Sequence, residues 1–211
     1  MRLAPEGRII VIPLFFITGI LIWLWAKMGI SIYAPAVLGA FLLFCLNFFR
    51  DPLRISPVNE HLIIAPADGK IVKIETITDH ELGESQLVSI FLNVFNVHVN
   101  RMPIKGIFSG VKYEKGKFLI AFDHKASDEN ERTEITISSK AGIVKVKQIA
   151  GLIARRIICY AKHGETMEMG GRLGYIKFGS RTDLILPNTI NLTVELGQKV
   201  VGNSTIIGTF Q

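Results

Sequence analysis

Cysteine is scarce in this chain. Cys45 and Cys159 are far apart, each in an apolar stretch, so they read as reduced packing residues. A disulfide framework and a cysteine-built metal site are both excluded as organising features. No block of lysine and arginine interleaved with aromatics occurs either, which argues against nucleic acid as the partner of a basic chain. The formal charge of +6 and the pI near 9.4 suit an anionic lipid surface instead.

Charge is missing altogether from Ile9 to Ala26 and, after Lys27, again from Met28 to Leu46. Each run is about long enough to cross a bilayer as a helix. A cleaved signal peptide would show one shorter apolar core followed by a polar mature start, whereas here a second apolar run follows. Arg2 and Arg8 precede the pair, and Arg50 and Arg54 follow it. The expectation is a hydrophobic helical hairpin over residues 1–49 with both ends on the cytoplasmic side of the cell membrane. Trp23, Trp25 and Tyr33 would sit at the far interface.

Beyond Arg50-Asp51-Pro52 no amphipathic helical period is evident. Short Val- and Ile-rich segments are separated by Gly, Pro, Asn and Asp: 62–64, 70–74, 87–99, 134–137, 144–149 and 152–160. Residues 50–211 are therefore expected to form a mainly β body, a compact sandwich or barrel. The polar stretch DHKASDENER (123–132) reads as a long loop. ADGKIVKIE (67–75) and LGQKVVGNSTIIG (196–208) resemble each other and the turns of swinging-arm carrier domains. Neither Lys70 nor Lys199 stands in a carrier's hairpin-tip context, so both pieces are taken as scaffold.

The segment GYIKFGSRTDLILP (174–187) carries the strongest chemical signal. Gly179 permits a strained backbone, and Ser180 sets a hydroxyl beside its own preceding carbonyl, the arrangement an N-to-O acyl shift requires. Most Gly-Ser pairs are simple turns, and context must decide. FFRDP (48–52), PADGK (66–70), NVHVNRMP (96–103), KASDENER (125–132), GLIARRI (151–157) and FGSR (178–181) occur here in one order. Together they resemble the short archaeal and bacterial type of phosphatidylserine decarboxylase over nearly the whole chain.

That resemblance implies self-cleavage between Gly179 and Ser180, giving a β chain 1–179 and an α chain 180–211 that stay associated. It further implies a covalent pyruvoyl group derived from Ser180, with no metal. Such a ketone forms a Schiff base with the amine of phosphatidylserine and takes up the electrons left by carbon dioxide. The product is phosphatidylethanolamine. His98 is the candidate proton donor and base, and Asp68 of PADGK the candidate orienter of its ring. Asp68-Gly69 also fits a plain turn.

The longer enzymes of this chemistry carry a second histidine near the position of Arg101, so whether His98 serves both cleavage and turnover stays open. Arg101, Arg155, Arg156 and Arg181 are candidates for the substrate's phosphate and carboxylate. Alternation puts Arg155 and Arg156 on opposite strand faces, so at most one reaches a common pocket. His61, His80, His124 and His163 are expected at the surface. Two alternatives stand beside the lead: a decarboxylase of an ether-linked serine phospholipid, and a noncatalytic membrane-anchored carrier-like scaffold. A homodimer is compatible with all three.

Overall fold

The computed structural model describes residues 2–116, 130–151, 157–177 and 180–210. The protein is mainly β, with an N-terminal pair of apolar helices and a curled eight-stranded sheet. It divides into two compact units, Met1–Leu53 and Arg54–Gln211.

In the first unit, β1 (Arg2–Leu3) leads into α1 (Pro5–Met28), and α2 (Tyr33–Phe48) leads into β2 (Arg50–Asp51). Pro5 suits the first turn of α1, where its missing N–H is no loss, and Glu6 there meets the positive end of the helix dipole. Gly29 ends α1 in the left-handed region at φ 67°, with its N–H on the Trp25 carbonyl at 3.1 Å. The two helix ends are fastened by β1–β2 pairing and by Ala4 N–H donating to Phe49 O at 2.7 Å. A Cβ on Gly7 would come within 2.4 Å of Phe49, so only glycine lets these segments approach so closely. Ile9, Phe15, Phe16 and Trp23 of α1 lie open. At 24 residues, α1 is about 36 Å long, and it is long and apolar enough to cross a membrane. The second apolar run forms a helix of only 16 residues, about 24 Å.

The second unit contains β3 (Leu62–Ile64), β4 (Gly69–Asp79), β5 (Gly83–Leu92), β6 (Val99–Arg101), β7 (Gly106–Glu114), β8 (Arg132–Ser138) and β9 (Ile143–Ala150). It continues with β10 (Ile157–Cys159), β11 (Thr166–Met167), β12 (Arg172–Ile176), β13 (Ser180–Pro187), β14 (Asn191–Leu192), β15 (Lys199–Val200) and β16 (Ile206–Thr209). Strands β11-β7-β8-β9-β13-β5-β4-β15 form the large antiparallel sheet, in that order. Bulges between Ile71 and Lys73 and between Phe108 and Gly110 add twist to it. Two small sheets, β10-β12-β6 and β14-β16-β3, contribute to the same core.

That core follows from alternation. Val88, Ile90 and Leu92 of β5, Ile135 and Ile137 of β8, Val144 and Val146 of β9, and Leu184 and Leu186 of β13 point inward. Ile63, Met102, Leu173 and Ile207 close over them from the small sheets and their connections. β13 lies near the middle of the large sheet, paired with β5 on one side and β9 on the other. The two carrier-like pieces meet as β4 and β15, with Lys70 directly opposite Lys199.

Candidate active site

Ser180 is the first residue of β13, opposite Leu92 on one flank and Ala150 on the other. It is fully buried, and its Oγ has no hydrogen-bond partner among the described residues. Alternation puts Ser180 and Thr182 on the face of β13 that bears Leu184 and Leu186. Arg181 and Asp183 occupy the opposite face. Gly179, Arg155 and Arg156 lie outside the described residues, as does His124.

His98 is also fully buried and immediately precedes β6. Its Nδ1 lies 2.9 Å from the Asn96 carbonyl oxygen. A carbonyl can only accept, so Nδ1 carries the hydrogen, and in the neutral ring Nε2 is the basic nitrogen. The Tyr175 ring lies beside the imidazole, with centroids 6.3 Å apart.

Two layers of contacts relate His98 to Ser180. In the first, Asn100 of β6 pairs with Gly174 of β12, and Gln148 of β9 pairs with Thr182 of β13. Gln148 Nε2 donates to Asn100 Oδ1 at 2.7 Å, and Asn100 Nδ2 donates to Thr182 Oγ1 at 3.2 Å. In the second layer, Ile176 N–H donates to the His98 carbonyl at 3.3 Å and the Ile176 side chain packs with Ala150, the cross-strand neighbour of Ser180. Both strands thus run the same way through the layers, and His98 and Ser180 share the second one.

The amide chain of Gln148 and Asn100 is absent from the sequence reading. Its trace was there: a glutamine inside the Val/Ile run of β9, and an asparagine within NVHVNRMP. Gly174 makes room for it, since a Cβ there would stand 2.5 Å from Gln148 Nε2 and 2.3 Å from the Ile158 carbonyl oxygen. Gln148 Oε1 is itself buried without a partner among the described residues.

Asp68 is nearly buried and forms a two-pronged ion pair with Arg54, with Oδ2 at 2.8 Å from Nη2. Its Oδ1 also accepts the Gly202 N–H at 2.8 Å. His98 Nδ1 donates to a backbone carbonyl, and the Asp68 carboxylate is engaged with Arg54. The PADG loop nonetheless touches the histidine segment, because Arg101 N–H donates to Pro66 O at 2.7 Å.

The arginines separate. Arg181 is buried and forked onto Asp183, Nε to Oδ1 at 2.7 Å and Nη2 to Oδ2 at 2.8 Å, so its charge is neutralised within its own strand. Arg101 is half-buried, with Nη1 3.4 Å from the Gly170 carbonyl oxygen. His61, His80 and His163 are exposed. Burial pushes the Cys159 thiol up, which disfavours a thiolate. Among the described residues no group of three or more His, Cys, Asp or Glu side chains could hold a metal ion.

The family model described as phosphatidylserine decarboxylase matches residues 41–208. A phosphatidylserine decarboxylase proenzyme from Chlorobaculum tepidum is 45% identical over 99% of this chain and 98% of its own length. One from Chlorobaculum parvum is 43% identical over 99% of both chains. Another, from Geobacter sulfurreducens, is 44% identical over 98% of this chain and 95% of its own. With near end-to-end similarity joined to a buried serine and histidine in one layer, the chain belongs to the phosphatidylserine decarboxylase family.

Proposed function

We propose that the chain is a proenzyme that cuts itself between Gly179 and Ser180, and that the cut enzyme converts phosphatidylserine to phosphatidylethanolamine and carbon dioxide. The observation carrying this reading is the Ser180 hydroxyl, buried at the head of a central strand with no partner among the described residues. Leaving such a group unpaired costs about 1–3 kcal/mol. Chemistry at that oxygen accounts for the cost, and packing does not. Similarity to proteins named as proenzymes supports the same conclusion.

In the cutting step the Ser180 oxygen adds to the Gly179 carbonyl carbon, the C–N bond between the residues breaks, and the nitrogen leaves as an amine. An ester results. Loss of the Ser180 α-proton then expels the Gly179 carboxylate, and the unsaturated terminus takes up water and releases ammonia to become pyruvoyl. We assign both proton removals to His98, whose basic nitrogen is Nε2. Asp68 acts through its loop, which Arg54 and Gly202 hold and which anchors the Arg101 backbone.

A pyruvoyl group at position 180 fits the surroundings, since pairing with Leu92 and Ala150 would keep the new terminus in place. Such a group would supply the amine-reactive electron sink that loss of carbon dioxide requires. His98 returns a proton to the substrate Cα, and the buried setting excludes water from the carbanion. α1 and α2 hold the enzyme at the membrane where its substrate resides, with the basic flanks Arg2, Arg8, Arg50 and Arg54 on the cytoplasmic side.

Intact mass under denaturing conditions tests the reading. Two chains are expected, one ending at Gly179 and one beginning with pyruvoyl at 180. A single full-length chain that still releases carbon dioxide would remove Ser180 as the source of the ketone.

A further inference from the structure

Three exposed apolar side chains gather where β15 forms an edge of the large sheet: Phe95 is 65% exposed, Leu196 67% and Val201 42%. Phe95 and Val201 line a groove of about 550 Å³ together with Lys70 and Lys199. Leu196 joins them through its turn. Gly197, at φ 87°, lies against the Lys70 stem, since a Cβ there would stand 3.8 Å from Lys70 Cε. Apolar groups that gather beside cations, instead of scattering singly, mark an interaction surface.

The backbone holds these side chains outward. Phe95 rides a turn in which Asn93 Oδ1 accepts the Phe95 N–H and Asn96 Oδ1 accepts that of Asn93, both at 2.9 Å. Leu196 rides a turn fixed by Gly197 N–H on Ile71 O at 2.8 Å and by Glu195 N–H on Gln198 Oε1 at 2.9 Å. Turns already fixed lose little conformational freedom on binding.

Charge selects the partner. Lys70 and Lys199 are exposed and directly opposite one another, with no ion-pair or hydrogen-bond partner among the described residues. Like charges so placed repel, and an external anion relieves the repulsion. Asp68 is forked onto Arg54, which leaves Glu195 to set against the two lysines, and the balance stays positive. Apolar tips with cations beside them fit the boundary of an anionic bilayer, whose headgroups take the ammoniums and whose acyl chains take the tips.

The chain leads to the same edge. Arg54 donates to Asp68 and to the Gly202 carbonyl, next to Val201, and residues 49–53 are all that separates Arg54 from the end of α2 at Phe48. Fully extended, that connection spans about 20 Å. Lipid that holds α2 is therefore within reach of the groove.

We propose that Phe95, Leu196 and Val201, with Lys70 and Lys199, form a second membrane contact, an edge of the decarboxylase body that rests on an anionic bilayer surface while α1 and α2 anchor the chain. This rests on the membrane reading above and assigns it a face of the body. The lysines are apart from the reacting groups, because Lys70 shares a sheet face with Phe91 and Arg181, away from Ser180. The Phe95 turn provides the connection: its backbone runs from Leu92, opposite Ser180, to His98.

The test uses the full-length protein with p-benzoylphenylalanine in place of Phe95, a photoreactive analogue that inserts into C–H bonds, in liposomes of phosphatidylcholine with or without phosphatidylglycerol. After illumination, mass spectrometry should find lipid adducts at position 95, more of them with phosphatidylglycerol. Lys70→Gln with Lys199→Gln should lower their yield by about tenfold. Salt at about 1 M should lower it too, while the protein still floats with the liposomes. The same probe in place of Ile143, at the other end of β9 from the Ser180 pairing, should give few adducts. Equal adducts at both positions, a yield indifferent to the lysines and to phosphatidylglycerol, or a crosslinked second copy instead of lipid would each overturn the proposal. Ser180→Ala should give the same adducts, so the face is judged apart from the decarboxylase reading. Protein that floats without adducts at position 95 counts against this face alone, whereas protein that never floats removes the anchor and the proposal with it.

Discussion

Asn100 Nδ2 donates to Thr182 Oγ1 across 3.2 Å, and this bond ties the strand that follows His98 to the strand that Ser180 heads. Both residues are fully buried, so neither can exchange its partner for water. Thr182→Val keeps the shape and removes the acceptor. We expect a stability loss of about 1–3 kcal/mol in urea unfolding, together with slower conversion of precursor to cut chains. Unfolding that matches wild type would show that the bond carries no weight.

For Ser180 the expectation has the opposite sign in stability. Ser180→Ala deletes a buried hydroxyl that lacks a partner among the described residues, so the variant should unfold at the same temperature as the precursor or higher. It should also stay full length and inactive. Ser180→Cys keeps a nucleophile and is expected to cleave in part without gaining full activity, because cleavage does not guarantee conversion to the ketone. A clear drop in melting temperature for Ser180→Ala would point to an ordinary packing role.

His98→Ala should slow self-cleavage by about 10²–10⁴-fold, the usual contribution of a positioned base. Denaturing gels over time would follow the precursor, and thermal melting would check that the fold survives. Cleavage at the wild-type rate would remove His98 from the first proton transfer.

A third polar site, far along the sheet from Ser180, is expected to make stability depend on pH. Lys145 is buried, with Nζ 2.8 Å from Asp79 and 2.9 Å from Glu81. Burial disfavours the Lys145 charge, but hydrogen bonds to Asp79 and Glu81 outweigh it and raise the pKa above 10.5. Burial likewise pushes Asp79 up, but its bonds to Lys145, Glu81 and Leu82 prevail and its pKa falls below 3.8. The lysine's contribution is therefore complete below its unfolded pKa and lost as pH rises through the higher folded one. The Asp79 contribution is present above its unfolded pKa and lost as pH falls through the lower folded one. Unfolding free energy measured across pH should show a neutral plateau with both limbs, and Lys145→Met should remove the alkaline limb.

Removing residues 1–49 should leave a body that folds, because the core residues run from Ile63 to Ile207. We expect it to leave the membrane fraction in high salt, where surface attraction is screened. A truncated body that still sediments with membranes under those conditions would locate the anchor elsewhere.

Much of the architecture was legible because it rests on short-range pattern. The inward Val and Ile of β8 and β9 alternate cleanly, and the two apolar runs became helices. Residues 87–99, expected as one strand, break after Leu92. The Asn93 and Asn96 side chains cap the turn there, with Asn93 N–H donating to Asn96 Oδ1 and Phe95 N–H to Asn93 Oδ1, both at 2.9 Å. β7 went unread because Gly106, Ser109 and Gly110 interrupt its pattern. At the site, a serine beside glycine and a histidine inside a motif could be found from the sequence. The Gln148–Asn100–Thr182 chain could not, since it joins segments far apart along the chain, nor could the pairing of Asp68 with Arg54, since no local pattern links the two.

The position of β13 has a consequence for how the protein could be taken apart. A cut before Ser180 would leave the short chain as an inner strand, hydrogen-bonded along its length to β5 and β9 and reaching as β16 into a second sheet. Unfolding the precursor is a one-molecule event that can reverse at any dilution. Unfolding the cut protein would be a dissociation, and return would require two partners to find each other. Processing would thus turn a reversible fold into one assembled only once, held afterwards by the slowness of opening rather than by the ease of re-forming.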